Sequence, residues 1–428
     1  HLGVRRGETA IEVTLAGGFV ETPGGEPVRM WSRQEMGTTP IETVVTWIDD
    51  GTIEVATTQG GRTQTTTRKA PNGTWLTPEA AREYVAQRLS SGAERIVVRT
   101  IDPLGGLAPV TVTRDRIRPQ AVEVAGRTVP AHRAITTNSS EPGIEAIEHI
   151  DQHGRVVRTA FDLGSMKLTV LAADKALALA ELEPPELMQS TFVTPSRRID
   201  RPRQAKSATY LLRVPDGELA DIPAVGAQVV ERVDRTTMRV IVRTDRTQRA
   251  TTEAEAFLQA SAMLAINDEQ ITRLASRGRG EGRKLAESLR RVVHGHVREK
   301  GLSVGFASAS EVVRTREGDC TEHATLLAAL LRARGIPSRV VSGLIYADRF
   351  AGAQHIFGYH MWTQALVEID GEPRWLDLDA TLPARTPFDA THIALATAAL
   401  NDDEPNNALV SLVPLLGRLE IEVVDVGY

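Results

Sequence analysis

A single thiol stands among 428 residues, and the residues around and after it are of reactive types. Cys320 lies in Arg316-Glu317-Gly318-Asp319-Cys320-Thr321-Glu322-His323-Ala324, at the head of an apolar run. Tyr359-His360-Met361-Trp362 follows, and then Trp375-Leu376-Asp377-Leu378-Asp379-Ala380-Thr381. A thiol, an imidazole and a carboxylate in that order are a nucleophile, a base and a group that orients the base. Together they point to acyl transfer on an amide.

Local patterns predict the elements that must hold these groups. Thr321 to Arg334 reads as a helix, with Ala324, Leu327, Ala328 and Leu331 on one face and Leu326 and Leu330 beside it. Gly335 stops it, Pro337 prevents its resumption, and Asp319 is the expected N-cap. Cys320 therefore sits at the helix start, where unpaired N–H groups and the positive dipole end favour a thiolate and can face an oxyanion. A buried structural cysteine is an equal reading on position alone; the histidine and aspartate that follow weigh against it.

Ser338–Tyr346 reads as a strand, 347–358 as a loop, Tyr359–Ile369 as a strand, Asp370-Gly371 as a turn and Arg374–Asp379 as the returning strand. That hairpin brings His360 and Asp379 to the same end. Asp377 shares the face of Asp379 and rivals it as orienter. His355, on the expected loop, and His323, one turn beyond Cys320, rival His360 as base. Trp362 is expected to shield the site or stack on His360, or else to pack the core.

The rest of the chain bounds the reading. The length implies about two to three domains. Hydrophobic residues make up 41% and charged residues 25%, the balance of a globular protein with a sizeable core. The net charge of -5 argues against nucleic acid or an anionic membrane as main partner. One cysteine excludes an intramolecular disulfide. No apolar run approaches the ~18 residues of a membrane span. A start at His1 leaves room for a removed leader or anchor.

The class expected is α+β. Residues 1–182 read as a strand-rich domain, a curled antiparallel sheet over a helix begun by Thr77-Pro78. Residues 183–207, rich in Pro and Arg, read as a linker, and 208–250 as a small β region leading into a catalytic domain over 251–428. Helices are expected at Glu253–Ile266, Glu269–Ser276, Gly282–Glu299 and Ser308–Thr315, and a short one at Asp174–Glu181. Ala384–Asn407 reads as helix and loop, and Leu409–Leu416 and Leu419–Val424 as strands finishing the catalytic sheet. His132, His149 and His153 are scattered. His294 and His296 share no helix face, so no metal site or cofactor is expected from them.

The ordered set resembles the transglutaminase-like superfamily with its papain-like thiol chemistry. The matching pieces are Gly318-Asp319-Cys320, Glu322-His323-Ala324, Leu330-Leu331-Arg332-Ala333, Gly335-Ile336-Pro337-Ser338-Arg339-Val340-Val341-Ser342-Gly343-Leu344, His360-Met361-Trp362 and Asp379-Ala380-Thr381. The resemblance implies Cys320 as nucleophile, His360 as base and acid, and Asp379 as orienter, with the Cys-bearing helix packed on an antiparallel sheet. It implies hydrolysis of peptide, isopeptide or glutamine-type amides more than crosslinking, without calcium, on a peptide or protein substrate in a periplasmic or other extracytoplasmic setting. The alternatives are a non-catalytic envelope scaffold of the same fold and a structural metal site using Cys320 with His323 or His360.

Overall fold

A computed structural model describes residues 2–6, 9–35, 40–49, 51–59, 61–140, 144–163, 166–178, 191–215, 217–249, 254–299, 301, 306–402, 412 and 415–428. The chain is α+β. It divides into two compact units, one of residues 14–35 and 40–183 and the other of residues 1–13, 36–39 and 184–428.

In the first half, β1 (Leu2–Arg6), β2 (Thr9–Glu21), β3 (Pro27–Glu35), β4 (Ile41–Asp49), β5 (Thr52–Gln59) and β6 (Arg62–Lys69) form an antiparallel meander. Met30, Val45 and Val55 face one another across β3, β4 and β5 and are buried together. The helix α1 (Pro78–Ser90) starts at Thr77 with Pro78 in its first turn. Then come β7 (Ile96–Thr100), β8 (Val110–Pro119), the short pair β9 (Val122–Val124) and β10 (Arg127–Val129), β11 (His132–Asn138), β12 (Glu145–Ile150), β13 (Val156–Leu163) and β14 (Met166–Leu171). Their main sheet runs β14-β13-β12-β11-β8-β7, and Val85 and Leu89 of α1 pack with its Ile96, Ile117, Ala134 and Ile150. Two six-stranded sheets and the separate β9–β10 pair thus replace the single curled sheet expected. A short α2 (Lys175–Ala178) follows, Asp174 standing just before it; residues 179–181 of the helix expected over Asp174–Glu181 lie outside the described residues.

The second half opens with β15 (Ser207–Arg213), β16 (Gln228–Arg232) and β17 (Thr237–Arg243), followed by α3 (Glu269–Ala275), α4 (Gly282–His296), α5 (Ala309–Thr315) and α6 (Cys320–Ala333). Next are β18 (Ser338–Phe350), β19 (Ala353–Ile369), β20 (Glu372–Leu378), β21 (His392–Ala398) and β22 (Glu420–Gly427). The site-bearing sheet runs β20-β19-β18-β21, all antiparallel. The other sheet runs β16-β17-β15-β22. One core joins them: Tyr210, Leu212, Met238 and Val240 from the small sheet, Leu344, Tyr346, Phe357 and Ile393 from the site-bearing sheet, and Ile421 and Val423 from β22.

Every residue of α6 from Thr321 to Arg332 is buried. Apolar residues on several faces make such a helix central rather than superficial. Burial of Leu326, Leu327, Leu330 and Leu331 contributes about 1.5–3 kcal/mol each. Hydrogen bonds fix it to the sheet: Thr363 Oγ1 donates to Ala324 O at 2.9 Å and Ser338 Oγ to Ala328 O at 2.9 Å.

Several sequence expectations need correction. The described residues of the helix expected over Glu253–Ile266, 254–266, form no α-helix but a 3-10 turn at Glu255–Leu258; Glu253 lies outside the described residues. Residues 347–358 are not a loop: β18 continues to Phe350 and β19 starts at Ala353 around Ala351-Gly352, both left-handed at φ 47° and 84°. The region expected as helix and loop over Ala384–Asn407 contains β21. Its Ala-rich run, buried along most of its length, carries no alternation to betray a strand. The strand near Leu419 exists, but it completes the sheet of β15 and not the site-bearing one. Most of Leu409–Leu416 lies outside the described residues.

Candidate active site

Asp319 is the N-cap of α6 and closes a capping box. Its Oδ1 accepts from Thr321 N at 2.9 Å, and Asp319 N donates to Glu322 Oε2 at 2.9 Å. Glu322 is wholly buried, and its Oε1 accepts from Ala307 N at 2.9 Å and from Thr321 Oγ1 at 2.9 Å. Burial, and then the nearby Asp319 charge, push the Glu322 carboxyl up to about 7. Gly318 has φ 150°, and a Cβ there would lie 2.3 Å from that of Glu322, so the turn into the helix requires glycine. Cys320 is the first helical residue and is partly exposed. The sequence reading found the cap but missed Glu322, although Asp-x-x-Glu before an apolar run is the box's signature. The N–H groups of Thr321 and Glu322 serve the cap, which narrows the expectation that the helix start as a whole faces an oxyanion.

His360 Nε2 lies 2.9 Å from Asp379 Oδ2, and the two side chains are 9% and 0% exposed. Gly343 is the register partner of His360 on β18. Asp379 follows the end of β20 and is held on all sides. Its Oδ1 accepts from Thr381 N at 2.8 Å and Thr381 Oγ1 at 2.7 Å. Buried Arg290 of α4 donates to the carbonyls of Asp379, Leu382 and Ala384, and His294 Nδ1 lies 3.1 Å from Ala380 O. Burial alone would push the Asp379 carboxyl up. The His360 charge and the hydrogen bonds from His360 and His392 outweigh it and hold Asp379 well below the usual carboxylate range.

His392, the first residue of β21, was missed because its strand was missed. It is wholly buried, and its Nε2 lies 3.2 Å from Asp379 Oδ2. Its Nδ1 lies 3.0 Å from Asp389 O and 3.4 Å from Asp389 Oδ1. Asp389 in turn pairs with Arg203 at 2.7 Å. Burial pulls the His392 ring down, but the charges and hydrogen bonds of Asp389 and Asp379 win and raise it to about 9.

The rivals have other occupations. Asp377 Oδ1 accepts from Trp362 Nε1 at 2.9 Å and Gln364 Nε2 at 2.7 Å, and its Oδ2 from Ala227 N at 2.8 Å. The Trp362 ring lies 6.3 Å from that of His360 at an interplanar angle of 22° and is buried in a core cluster with Val341 and Ala394, so it both stacks and packs the core. It crosses bare backbone: a Cβ on Gly343 would lie 2.9 Å from the indole and 2.1 Å from Ile393 O. His355 is on a strand, not a loop, 3.2 Å from Tyr346 Oη and 3.6 Å from Asp348. His323 Nδ1 lies 2.6 Å from Asp319 O.

The ring nitrogens of His360 and His392 and an oxygen of Asp379 lie within 4.8 Å of one another, close enough in principle to hold an ion. In the structure each imidazole is hydrogen-bonded to the carboxylate, which is the pattern of a proton network.

Residues 269–380 match the family model of the transglutaminase-like superfamily. The chain carries a transglutaminase-like core. That match contains Cys320, His360 and Asp379 and stops short of His392. Comparison with curated proteins gave no match. Among solved structures, a protein of Cytophaga hutchinsonii proposed to be a cysteine protease aligns at 15% identity over 52% of this chain and 90% of its own, with a TM-score of 0.32. The periplasmic domain of TgpA from Pseudomonas aeruginosa, bound to ethylmercury, aligns at 16% identity over 44% and 88%, with a TM-score of 0.28. A protein of Parabacteroides distasonis proposed to be a protease aligns at 12% identity over 87% and 68%, with a TM-score of 0.23. At such scores none of them bears on the role of a residue in the transglutaminase-like core.

Proposed function

We propose that the transglutaminase-like core is a thiol hydrolase that cleaves peptide, isopeptide or glutamine-type amide bonds. The observation that carries this reading is the buried 2.9 Å pair of His360 and Asp379, on the sheet to which the helix headed by Cys320 is bonded. Asp379 engages Nε2 of His360, which leaves Nδ1 as the nitrogen to serve the thiol. The helix start favours negative charge on Cys320 Sγ.

In the proposed cycle Sγ attacks the amide carbon, and the carbonyl electrons move to oxygen. The C–N bond then breaks as the His360 imidazolium gives its proton to the departing amine, leaving a thioester. Water, giving a proton to His360, attacks that thioester; the C–S bond breaks, releasing the acid and restoring the Cys320 thiolate beside the His360 imidazolium. Hydrolysis is favoured over transfer, and a peptide or protein substrate outside the cytoplasm belongs to the same reading.

Two measurements test it. Iodoacetamide at about pH 6 is expected to label Cys320 much faster than an ordinary thiol, and His360→Ala to slow that labelling. Mass spectrometry after incubation with a peptide library is expected to find an acyl group on Cys320. Ordinary labelling rates in wild type and variant, with no adduct on any peptide, would leave the scaffold reading in its place.

A further inference from the structure

We propose that His392 is a fourth, positioning member of the thiol centre: a buried cation that shares Asp379 with His360, fixes the carboxylate and withholds part of its charge from the His360 ring. This inference rests on the thiol-hydrolase reading, because it assigns what His392 does for the base of that reaction.

The argument begins with hydrogen-bond partners. A neutral imidazole has one donor and one acceptor nitrogen. Both nitrogens of His392 face acceptors, the Asp379 carboxylate on one side and the Asp389 carbonyl and carboxylate on the other. Only the doubly protonated ring satisfies both. The same side chain is wholly buried, where an uncompensated charge would be costly, and its surroundings supply the compensation. Asp379 and Asp389 flank the ring, and Phe388 lies against it with ring centroids 4.2 Å apart, close enough for a cation–aromatic contact. Trp362 approaches edge-on at 5.3 Å.

A row of alternating charge results: Arg203, Asp389, His392, Asp379 and then His360. Those are the titratable and charged groups facing His392, with Asp377 farther along β20. Both imidazoles meet the same oxygen, Asp379 Oδ2, while Oδ1 is filled by Thr381. The carboxylate therefore cannot rotate without breaking bonds to three residues. Its charge is divided between two rings whose centroids are 5.9 Å apart. A like charge at that range disfavours protonation of its neighbour. His392 thus sets how firmly His360 holds its proton without touching the substrate.

The test uses nitrogen-15 NMR of the histidine rings in the full chain. In wild type at pH 7, His392 is expected to show two protonated nitrogens. In His392→Gln, the His360 resonances are expected to change their pH dependence, the ring holding its proton further into alkali than in wild type. Asp389→Asn leaves the His392 ring in place and weakens its hold on the proton. It is expected to shift His360 in the same direction and serves if His392→Gln fails to fold. A neutral His392 in folded wild type, or an unmoved His360 titration in the folded variants, overturns the inference. Wild-type labelling of Cys320 by iodoacetamide separates the two readings. Slow labelling with a cationic His392 removes the hydrolase, whereas fast labelling with a neutral His392 removes only this role.

Discussion

The two aspartates at the end of β20 differ in what surrounds them more than in how deeply they are buried. Asp377 accepts from an indole, a side-chain amide and a backbone N–H, all neutral. Burial prevails there, and its carboxyl is raised. Asp379, two residues on, faces two imidazoles, and its carboxyl is held well below the usual range. Three good hydrogen bonds do not replace an opposite charge in a desolvated place. The first site suits scaffolding and the second suits holding a proton-carrying base. Sequence spacing alone could not rank them, since both lie on one face of the strand.

The largest contrast is expected from the matched pair Asp379→Asn and Asp377→Asn. Asp379→Asn leaves the buried His392 cation with Asp389 as its one carboxylate and removes the partner of His360, and should cost about 3–5 kcal/mol of stability in urea unfolding. Where the variant stays folded, labelling of Cys320 or any turnover should fall by about 10²–10⁴-fold. Asp377→Asn keeps an oxygen for the Trp362 and Gln364 donors and loses the bond donated by Ala227 N, so a cost of about 1–2 kcal/mol with thiol reactivity retained is expected. Equal effects from the two would erase the distinction.

Alkaline pH sharpens the same contrast. The folded-state value of His392, about 9, lies above the ordinary 6.5. Its contribution is therefore complete below about pH 6.5 and is lost as pH rises through about 9. That loss is on the order of a few kcal/mol, seen as a falling unfolding temperature between pH 7 and 9.5 and absent from His392→Gln. Asp379 acts at the other end, its contribution present above about pH 4 and lost in stronger acid.

Gly226 tests the neutral site from its far side. It has φ 55°, and a Cβ would lie 2.0 Å from Asp377 Oδ2 and 2.4 Å from Gln364 Nε2. Gly226→Ala is expected to cost about 2–3 kcal/mol in urea unfolding. Trp362→Phe, which removes one donor from Asp377 and some ring area above Gly343, should cost about 1–2 kcal/mol. It should alter thiol labelling less than Asp379→Asn does.

Much of this was legible in sequence because it is local. The Asp319 cap, the Gly335 and Pro337 stops and the Asp370-Gly371 turn each act within a few residues, and they place Cys320, His360 and Asp379 on their elements. What escaped depends on contacts across long stretches of chain. Nothing near Arg290 says that it grips carbonyls beyond Asp379, and nothing near Ala227 or Gln228 ties them to Asp377 and Ala394. β21 was hidden for a related reason. It is buried at an edge where Gln228 exchanges hydrogen bonds with the backbone of Ala394, so its residues never had to alternate.

Pairing of β22 with β15, in a register that sets Leu212 beside Ile421, has a consequence for synthesis. Ile421 and Val423 are the last pieces of the core under the site-bearing sheet. A ribosome must therefore deliver Glu420–Gly427 before that core can close, and a nascent chain carrying Cys320, His360 and Asp379 already outside the exit tunnel would still lack a finished wall. The reactive groups leave the ribosome before Glu420–Gly427, and the wall of that core closes only with this strand.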